Sequence, residues 1–519
     1  METAPQYREG VGTGKLRLAR LHFEARSVIS RRLDIRGMPM GDWRGWRWLA
    51  AVLVMGALNF AAVPSHADSA ADEAKEITEE YGGAYDNPRL NQYVTEIGEK
   101  LVATTPMTGQ KFTFTILDSP VVNAFSLPGG YVFVTRGLLG IANNEAEMAG
   151  VLGHEIGHIT AGHAARRLRR TALANLGAGL LRLLVGKLGN AEIGTVMGDV
   201  ASFGSLYYIR RYSREQEFQA DQLGTISLAK AGYDPGAMGT FLSSLEGDSE
   251  FENMIAGRAA DDRLHTMFAD HPRTPDRVKR AVDEARSLQK SSVLNRDAFL
   301  QHIDGLLYDD DPGQGVLRNG YFLHPGLHLA FAVPNDFEVE NEPTKVVVQN
   351  DEHAGFIFDR PPQPFNGTPD DYVGTVWAPN AKSRVQHLDI GDLAAATVTT
   401  QAKNDDGMLI NVRLLAVRTD RDTLYRFLFV MPADSGSRFI QTFQHVIYSF
   451  RKLSDEEAAK VKPLVVRVIT VADGDTVESL AKRLPYAERE VERFRMMNAL
   501  APDAVVKPGD KVKIVTWGP

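Results

Sequence analysis

Asn143-Asn144-Glu145-Ala146-Glu147-Met148-Ala149-Gly150-Val151-Leu152-Gly153-His154-Glu155-Ile156-Gly157-His158 is the stretch on which the reading of this chain turns. Met148, Val151, Leu152 and Ile156 recur at helical spacing, and the pattern continues to Arg170, which predicts one long helix over 143–170. His154 and His158 are four residues apart, so they lie about 40° apart around that helix and about 6 Å apart along it, and both imidazoles can meet one metal ion. Glu155 lies between them in angle and is placed to take a proton from a water beside the ion. The bland alternative is a helix that merely exposes two histidines and a glutamate, and a third protein ligand decides between the two.

His163 is the nearest candidate. Zinc peptidases with three histidines follow HExxHxxGxxH, which needs Gly at 161 and His at 164, and both residues stand one position early here. If the helix continues, His163 lies about 180° from His154. It therefore reads as a surface or packing residue whose loss leaves metal binding intact. The better candidate is Ser213-Arg214-Glu215-Gln216-Glu217-Phe218-Gln219-Ala220-Asp221. Ser213 and Gln216 form a capping box that starts a helix. Glu217 and Asp221 then share a face, whereas Glu215 points about 160° away from Glu217. A carboxylate ligand backed by a second carboxylate that orients a ligating histidine is an arrangement zinc sites use. Without the upstream motif the default would be a solvated acidic face.

The rest of the 519 residues is consistent with this centre. Hydrophobic residues make up 44% and charged residues 24%, an ordinary soluble composition that excludes a disordered or polytopic membrane chain. Cysteine is absent, which excludes disulfides, thiolate metal sites, a cysteine nucleophile and a lipid-modified terminal Cys, and leaves any metal to His, Asp and Glu. A formal charge of −8 argues against nucleic acid as a partner. Arg44 and Arg47, the apolar run 48–63 and the cleavage signal Ser65-His66-Ala67 read as a secretory signal peptide over 1–67, with an over-extended start upstream of Met38 or Met40. Its removal leaves a chain of charge −13, because residues 1–67 hold ten Lys and Arg against five Asp and Glu. The expectation is an acidic periplasmic protein.

Asn123-Ala124-Phe125-Ser126-Leu127-Pro128-Gly129-Gly130, Asn144-Glu145-Ala146-Glu147 with the His-Glu-Ile-Gly-His run, and Ser213 to Asp221 together resemble metallopeptidase family 48, a gluzincin group of zinc endopeptidases, over about residues 72–285. The resemblance implies one Zn2+ per chain held by His154, His158 and Glu217, with Glu155 as catalytic base. It also implies Asp221 as the family's acidic partner, assigned as proton donor, although the geometry of the pair favours an orienting role. Asp270-His271-Pro272 with Arg277 matches a later family pattern. His271 is then a reversible fourth ligand that keeps the enzyme latent, or Arg277 stabilises an oxyanion. The alternative is a proline-marked turn.

The C-terminal stretch resembles a LysM domain. Gly474-Asp475-Thr476-Val477 opens a helix, and Lys507-Pro508-Gly509-Asp510 turns into the strand Val512 to Val515. That resemblance implies glycan binding, hence peptidoglycan, around Gly474, Asp475, Thr476, Pro508 and Gly509. The alternative is a small α/β cap without a sugar groove. The fold class expected is α+β multidomain. After the signal peptide, residues 68–290 form a mainly helical gluzincin peptidase domain with a small antiparallel sheet. Residues 291–455 form an α+β domain of unknown role, read from alternating segments and the amphipathic face Phe439, Phe443, Val446, Ile447 and Phe450. A charged linker, 454–462, leads to a βααβ module at 465–519. The catalytic residues lie wholly within 154–221, so the terminal module is expected to be separable. The Gly-rich stretch 171–205 reads as packed helices or a mobile flap.

These readings converge on an exported zinc endopeptidase that acts on unfolded or misassembled envelope proteins, is recruited to peptidoglycan, and has outer-membrane assembly machinery as a candidate partner. The strand Tyr131 to Thr135 is expected to pair with extended substrate. A zinc-dependent cell-wall hydrolase and a non-catalytic chaperone or scaffold are the rival readings.

Overall fold

The computed structural model describes residues 66–163, 212–255, 271, 275–288, 291–379, 381, 383–403, 408–435 and 437–519. The expected signal peptide, except His66 and Ala67, and the stretch 171–205 lie outside them. Among the described residues no helix is long and apolar enough to cross a membrane.

The first core is built by α1 (His66–Glu80), α2 (Pro88–Val102), β1 (Thr113–Leu117), β2 (Ala124–Leu127), β3 (Tyr131–Thr135), α3 (Arg136–Ile141), α4 (Glu145–Thr160), α5 (Arg214–Lys230), α6 (Ala237–Ile255), α7 (Pro275–Ser287) and α8 (Arg296–Ile303). Local chemistry sets these boundaries. Asn87 caps α2 by accepting from Leu90 N at 3.1 Å, with Pro88 at the first helical position. The reciprocal Ser213–Gln216 box starts α5. The long-helix expectation fails at its end. α4 stops at Thr160, and Gly162, with φ of +67°, turns the chain out of the helix.

The three-stranded sheet is mixed, not antiparallel. Its order is β1-β3-β2, with β1 parallel and β2 antiparallel to β3. The Pro128-Gly129-Gly130 turn forces β2 and β3 into a hairpin, so β1 pairs on the far side of β3 and runs in its direction. The strand Tyr131–Thr135 is therefore flanked on both sides and has no edge to offer a substrate. The edge strand beside α4 is β2, whose Ser126 touches Glu155.

The chain does not change cores at residue 290. Phe299, Leu300, Ile303 and Leu306 pack in the same cluster as Leu90, Val94, Met148, Leu152 and Phe241. The α+β domain follows. β4 is Leu307–Tyr308, and β5 (Val316–Arg318), β6 (Tyr321–His324) and β7 (Leu329–Ala332) make a small antiparallel sheet. The main sheet comprises β8 (Glu338–Glu342), β9 (Lys345–Gln349), β10 (Gly355–Asp359), β11 (Gln386–Ile390), β12 (Leu393–Lys403), β13 (Leu409–Arg418) and β14 (Leu424–Pro432), in the order β11-β12-β13-β14-β10-β9-β8. Both faces are covered. Val346, Val348, Phe356, Phe427 and Phe429 pack against Phe439 and Phe443 of the helix Arg438–Ser449, and Val412, Leu414, Leu428 and Val430 pack against Tyr372, Val373 and Trp377.

The C-terminal module is a strand Leu464–Thr470, helices Val477–Ala481 and Glu490–Met497, and a strand Lys511–Trp517. It packs against the first core. Leu464 and Val465 pair with Tyr308 and Leu307, and Val466 belongs to the first core. Lys513, fully buried, donates to the carbonyls of Gly140 (2.8 Å), Ile141 (3.3 Å) and Ala142 (2.7 Å) at the C-terminal end of α3, where a cation is favoured. Burial pushes its amine down to about 7, against the pull of Glu147. Those carbonyls lie immediately before the Asn144 cap of the metal-binding helix.

Lys513→Met orphans three buried carbonyls and is expected to cost about 2–4 kcal/mol in urea unfolding of the full chain. Unchanged stability would contradict the clamp.

Candidate metal centre

Every residue of α4 from Glu145 to His158 is buried, so its polar side chains require partners. The N-terminus is held by Asn144, whose side chain accepts from Glu147 N at 2.9 Å, while the Glu147 carboxylate accepts from Asn143 N at 2.8 Å. α5 lies against the glycine face of α4. A Cβ on Gly157 would meet the Ala220 carbonyl at 3.0 Å, and one on Gly224 would meet His154 N at 2.9 Å. This close approach carries Glu217 and Asp221 to the two histidines.

Four donors converge. His154 Nε2 lies 3.0 Å from His158 Nε2 and 3.2 Å from His271 Nδ1. Glu217 Oε1 lies 3.1 Å from His271 Nδ1 and 3.4 Å from His158 Nε2, and Glu217 Oε2 lies 3.6 Å from His154 Nε2. All four residues are buried. Zinc bonds of about 2.0–2.2 Å in a tetrahedron imply donor–donor edges of about 3.3–3.6 Å, so the donor set fits one zinc ion. The pairing makes the same point. His154 Nδ1 lies 2.8 Å from the Asp221 carboxylate and therefore carries the ring proton, so Nε2 presents a lone pair to the other donors.

The surrounding shell bears on two expectations. Both oxygens of Asp221 accept from Arg277 at 2.8 Å, and although burial opposes its charge, that guanidinium brings the carboxyl down to about 2. Asp221 Oδ1 also lies 2.8 Å from His154 Nδ1, the contact that an orienting role needs. Arg277 is no free oxyanion stabiliser, because Nη1 also lies 3.0 Å from Glu217 Oε2 and donates to the His271 carbonyl at 3.4 Å. Glu217 is held well below the usual carboxylate range, against burial, by His271 and Arg277. His271 is fully buried, which opposes its charge, yet Glu217 and Glu155 raise it to about 9 in the metal-free chain. Burial, with His154 and His271 nearby, holds His158 well below the ordinary imidazole range.

Three further residues were missed in the sequence. Ser126 Oγ donates to Glu155 Oε2 at 3.0 Å, which leaves Oε1 buried without a hydrogen bond and 3.5 Å from His271 Nε2. Tyr212 stacks on His158, with ring centroids 3.9 Å apart. His163 is not on the far face: it is buried, and its Nδ1 lies 2.9 Å from His158 Nδ1. Gly162, a helix-stopping residue, was the available signal. Gly474, Asp475, Thr476, Pro508 and Gly509 lie in the C-terminal module, not at this centre.

A His-Glu-x-x-His helix, a glutamate from the next long helix and an aspartate behind the first histidine define a metallopeptidase-type centre. Residues 88–285 match Peptidase family M48. Among curated proteins the chain is similar to the putative beta-barrel assembly-enhancing protease of Vibrio cholerae, with 32% identity over 224 residues, 40% of this chain and 43% of the relative. It is also similar to the mitochondrial metalloendopeptidase OMA1 of Arabidopsis thaliana, with 31% identity covering 38% of this chain and 36% of the relative. The beta-barrel assembly-enhancing protease of Escherichia coli strain K12 is 28% identical, covering 41% and 42%. The chain thus spans less than half the length of these relatives.

Arg277→Met leaves Asp221 and Glu217 buried without their cation. The expected cost is about 3–5 kcal/mol in urea unfolding of the metal-free chain, only partly recovered by Arg277→Lys, whose point charge cannot span both carboxylates. Asp221's contribution is present above its ordinary value of 3.8 and is lost as pH falls towards about 2. A Met variant as stable as wild type would contradict the clamp.

Proposed function

We propose that the chain is an exported zinc endopeptidase that cleaves unfolded or misassembled envelope proteins and is held at the cell wall by its C-terminal module. The observation that carries the catalytic reading is the posture of Glu155. One carboxylate oxygen is tied to Ser126, and the other makes no hydrogen bond, is buried and lies beside the four-donor cluster, 3.5 Å from His271 Nε2. His154, His158 and Glu217 would hold a zinc ion there, which would polarise a scissile carbonyl and acidify the attacking water. Glu155 Oε1 takes the water's proton and delivers it to the leaving amine. Asp221 and Arg277 keep His154 and Glu217 in place throughout. The edge of β2, on the Glu155 side of the sheet, receives an extended substrate strand by backbone pairing, a mode indifferent to sequence and suited to unfolded clients.

His271 regulates this chemistry. His271 Nδ1, 3.2 Å from His154 Nε2 and 3.1 Å from Glu217 Oε1, stands where it would serve as a fourth ligand, and its withdrawal would open a position for water and substrate.

Relatives named for beta-barrel assembly support protein clients in the envelope, with outer-membrane assembly machinery as a partner. The signal-peptide pattern and acidic composition support the periplasm. The strand–helix–helix–strand module supports peptidoglycan binding. Its loops at 471–476 and 507–510 are joined where Val471 N donates to Asp510 O at 2.8 Å and Gly509 N donates to Val471 O at 2.9 Å, so the glycan-binding candidates border one rim. A chaperone would have no use for a poised Glu155, and a cell-wall hydrolase would sit poorly with the protein-cleaving relatives.

The full chain should bind one zinc and degrade casein. Glu155→Gln should keep the metal and lose about 10²–10⁴-fold in kcat, and His154→Ala, His158→Ala and Glu217→Ala should lose both. Stoichiometric zinc in Glu217→Ala would refute the ligand set. His271→Ala should cleave faster than wild type, and a folded variant with equal or lower activity would reject the latch.

A further inference from the structure

The histidine that the sequence placed on the far side of the helix forms part of a hydrogen-bonded chain ending on a metal ligand. His163 is fully buried, and its two ring nitrogens face different partners: Nδ1 lies 2.9 Å from His158 Nδ1, and Nε2 lies 3.0 Å from Gln219 Oε1. An amide oxygen can only accept, so His163 Nε2 donates to it. In a neutral ring Nδ1 is then the acceptor, and His158 Nδ1 must donate to it. His158 Nε2 is left as a lone pair directed at the cluster, 3.0 Å from His154 Nε2. Reversing the chain of donors would place a hydrogen on His158 Nε2, where the ion belongs.

We infer that His163, directed by Gln219, is a positioning residue that fixes the tautomer and orientation of His158 and so sets the affinity of the metal centre. The inference rests on the zinc site proposed above and assigns to that site a residue outside its ligand set. The two ligating histidines are held by different devices, His154 by the Asp221 carboxylate and His158 by the His163 imidazole. Charge explains the difference. Glu155, Glu217 and Asp221 bring three negative charges to the buried centre, and Arg277 with a divalent ion brings three positive ones. A fourth carboxylate behind His158 would leave a buried charge uncompensated. A neutral acceptor raises the basicity of His158 Nε2 without upsetting that balance. Backbone geometry makes the contact reachable, because the helix ends at Thr160 and Gly162 folds the chain back. Tyr212, stacked on the same imidazole, leaves His158 little freedom to rotate.

The test is zinc affinity of the full chain, measured by competition with a chromophoric chelator, together with the visible spectrum of the cobalt-substituted protein and the thermal stability of the metal-free form. His163→Leu should weaken zinc about 10–100-fold and alter the cobalt bands. His163→Asn, which keeps an acceptor near the Nδ1 position, should recover most of the affinity and the wild-type spectrum. Gln219→Glu, an obligate acceptor at an exposed position, should bind at least as tightly as wild type, and Gln219→Met should bind less tightly. A folded His163→Leu chain with wild-type affinity overturns the inference, as does equal weakening in the Leu and Asn variants. If His163→Leu does not fold, equal affinities of Gln219→Glu and Gln219→Met overturn it. A wild-type chain that takes up no zinc removes the metal reading and this one together, whereas a zinc-binding wild type with an equally avid His163→Leu removes the relay alone.

Discussion

The centre depends on how closely two helices can approach. α4 offers Gly153 and Gly157 to α5, which answers with Ala220 and Gly224, so that backbone lies almost directly on backbone. A Cβ at Gly153, Gly157 or Gly224 would press on backbone atoms at 2.9–3.2 Å and strain the approach of α5. Glu217 and Asp221 would then no longer reach His154 and His158, and Arg277 of α7 would lose the carboxylates it bridges. Most of the packing in the first core, from Leu90 on α2 to Phe299 on α8, surrounds this pair of helices and keeps the seam closed.

Placing so many ionisable groups out of water is costly unless their charges balance. Arg277 lowers both Glu217 and Asp221, and a divalent ion supplies the remaining positive charge. Glu217 and Glu155 raise the His271 imidazole above its ordinary value against the effect of burial. The clamp at Lys513 extends this organisation outward, because the C-terminal module supplies the donor for the helix end that leads directly into the metal-binding helix.

Much of this was legible in the sequence where the signal is local. The spacing of His154 and His158, the Ser213–Gln216 capping box and the phase of Glu217 and Asp221 follow from helix geometry alone, and the structure brings His154, His158 and Glu217 to one cluster. What failed depends on contacts distant in sequence or on where an element ends. The Pro128-Gly129-Gly130 turn marks Tyr131–Thr135 as a strand but does not say that it is central. A change of texture near residue 290 hid the helix Arg296–Ile303, whose apolar face returns to the first core. Extrapolating a helix past Gly162 sent His163 to the wrong side by half a turn. Asp221 was legible as an orienting group but not as one neutralised by Arg277, because 56 residues separate the two in sequence.

The central claim is that His154, His158, Glu217 and His271 close around one zinc ion in the resting chain. Zinc K-edge X-ray absorption on the purified full-length protein tests it most directly. The account predicts one zinc per chain with three imidazole nitrogens and one carboxylate oxygen at about 2.0–2.1 Å, and one fewer imidazole in His271→Ala. A first shell of oxygens alone, or identical imidazole counts in the two proteins, would contradict it.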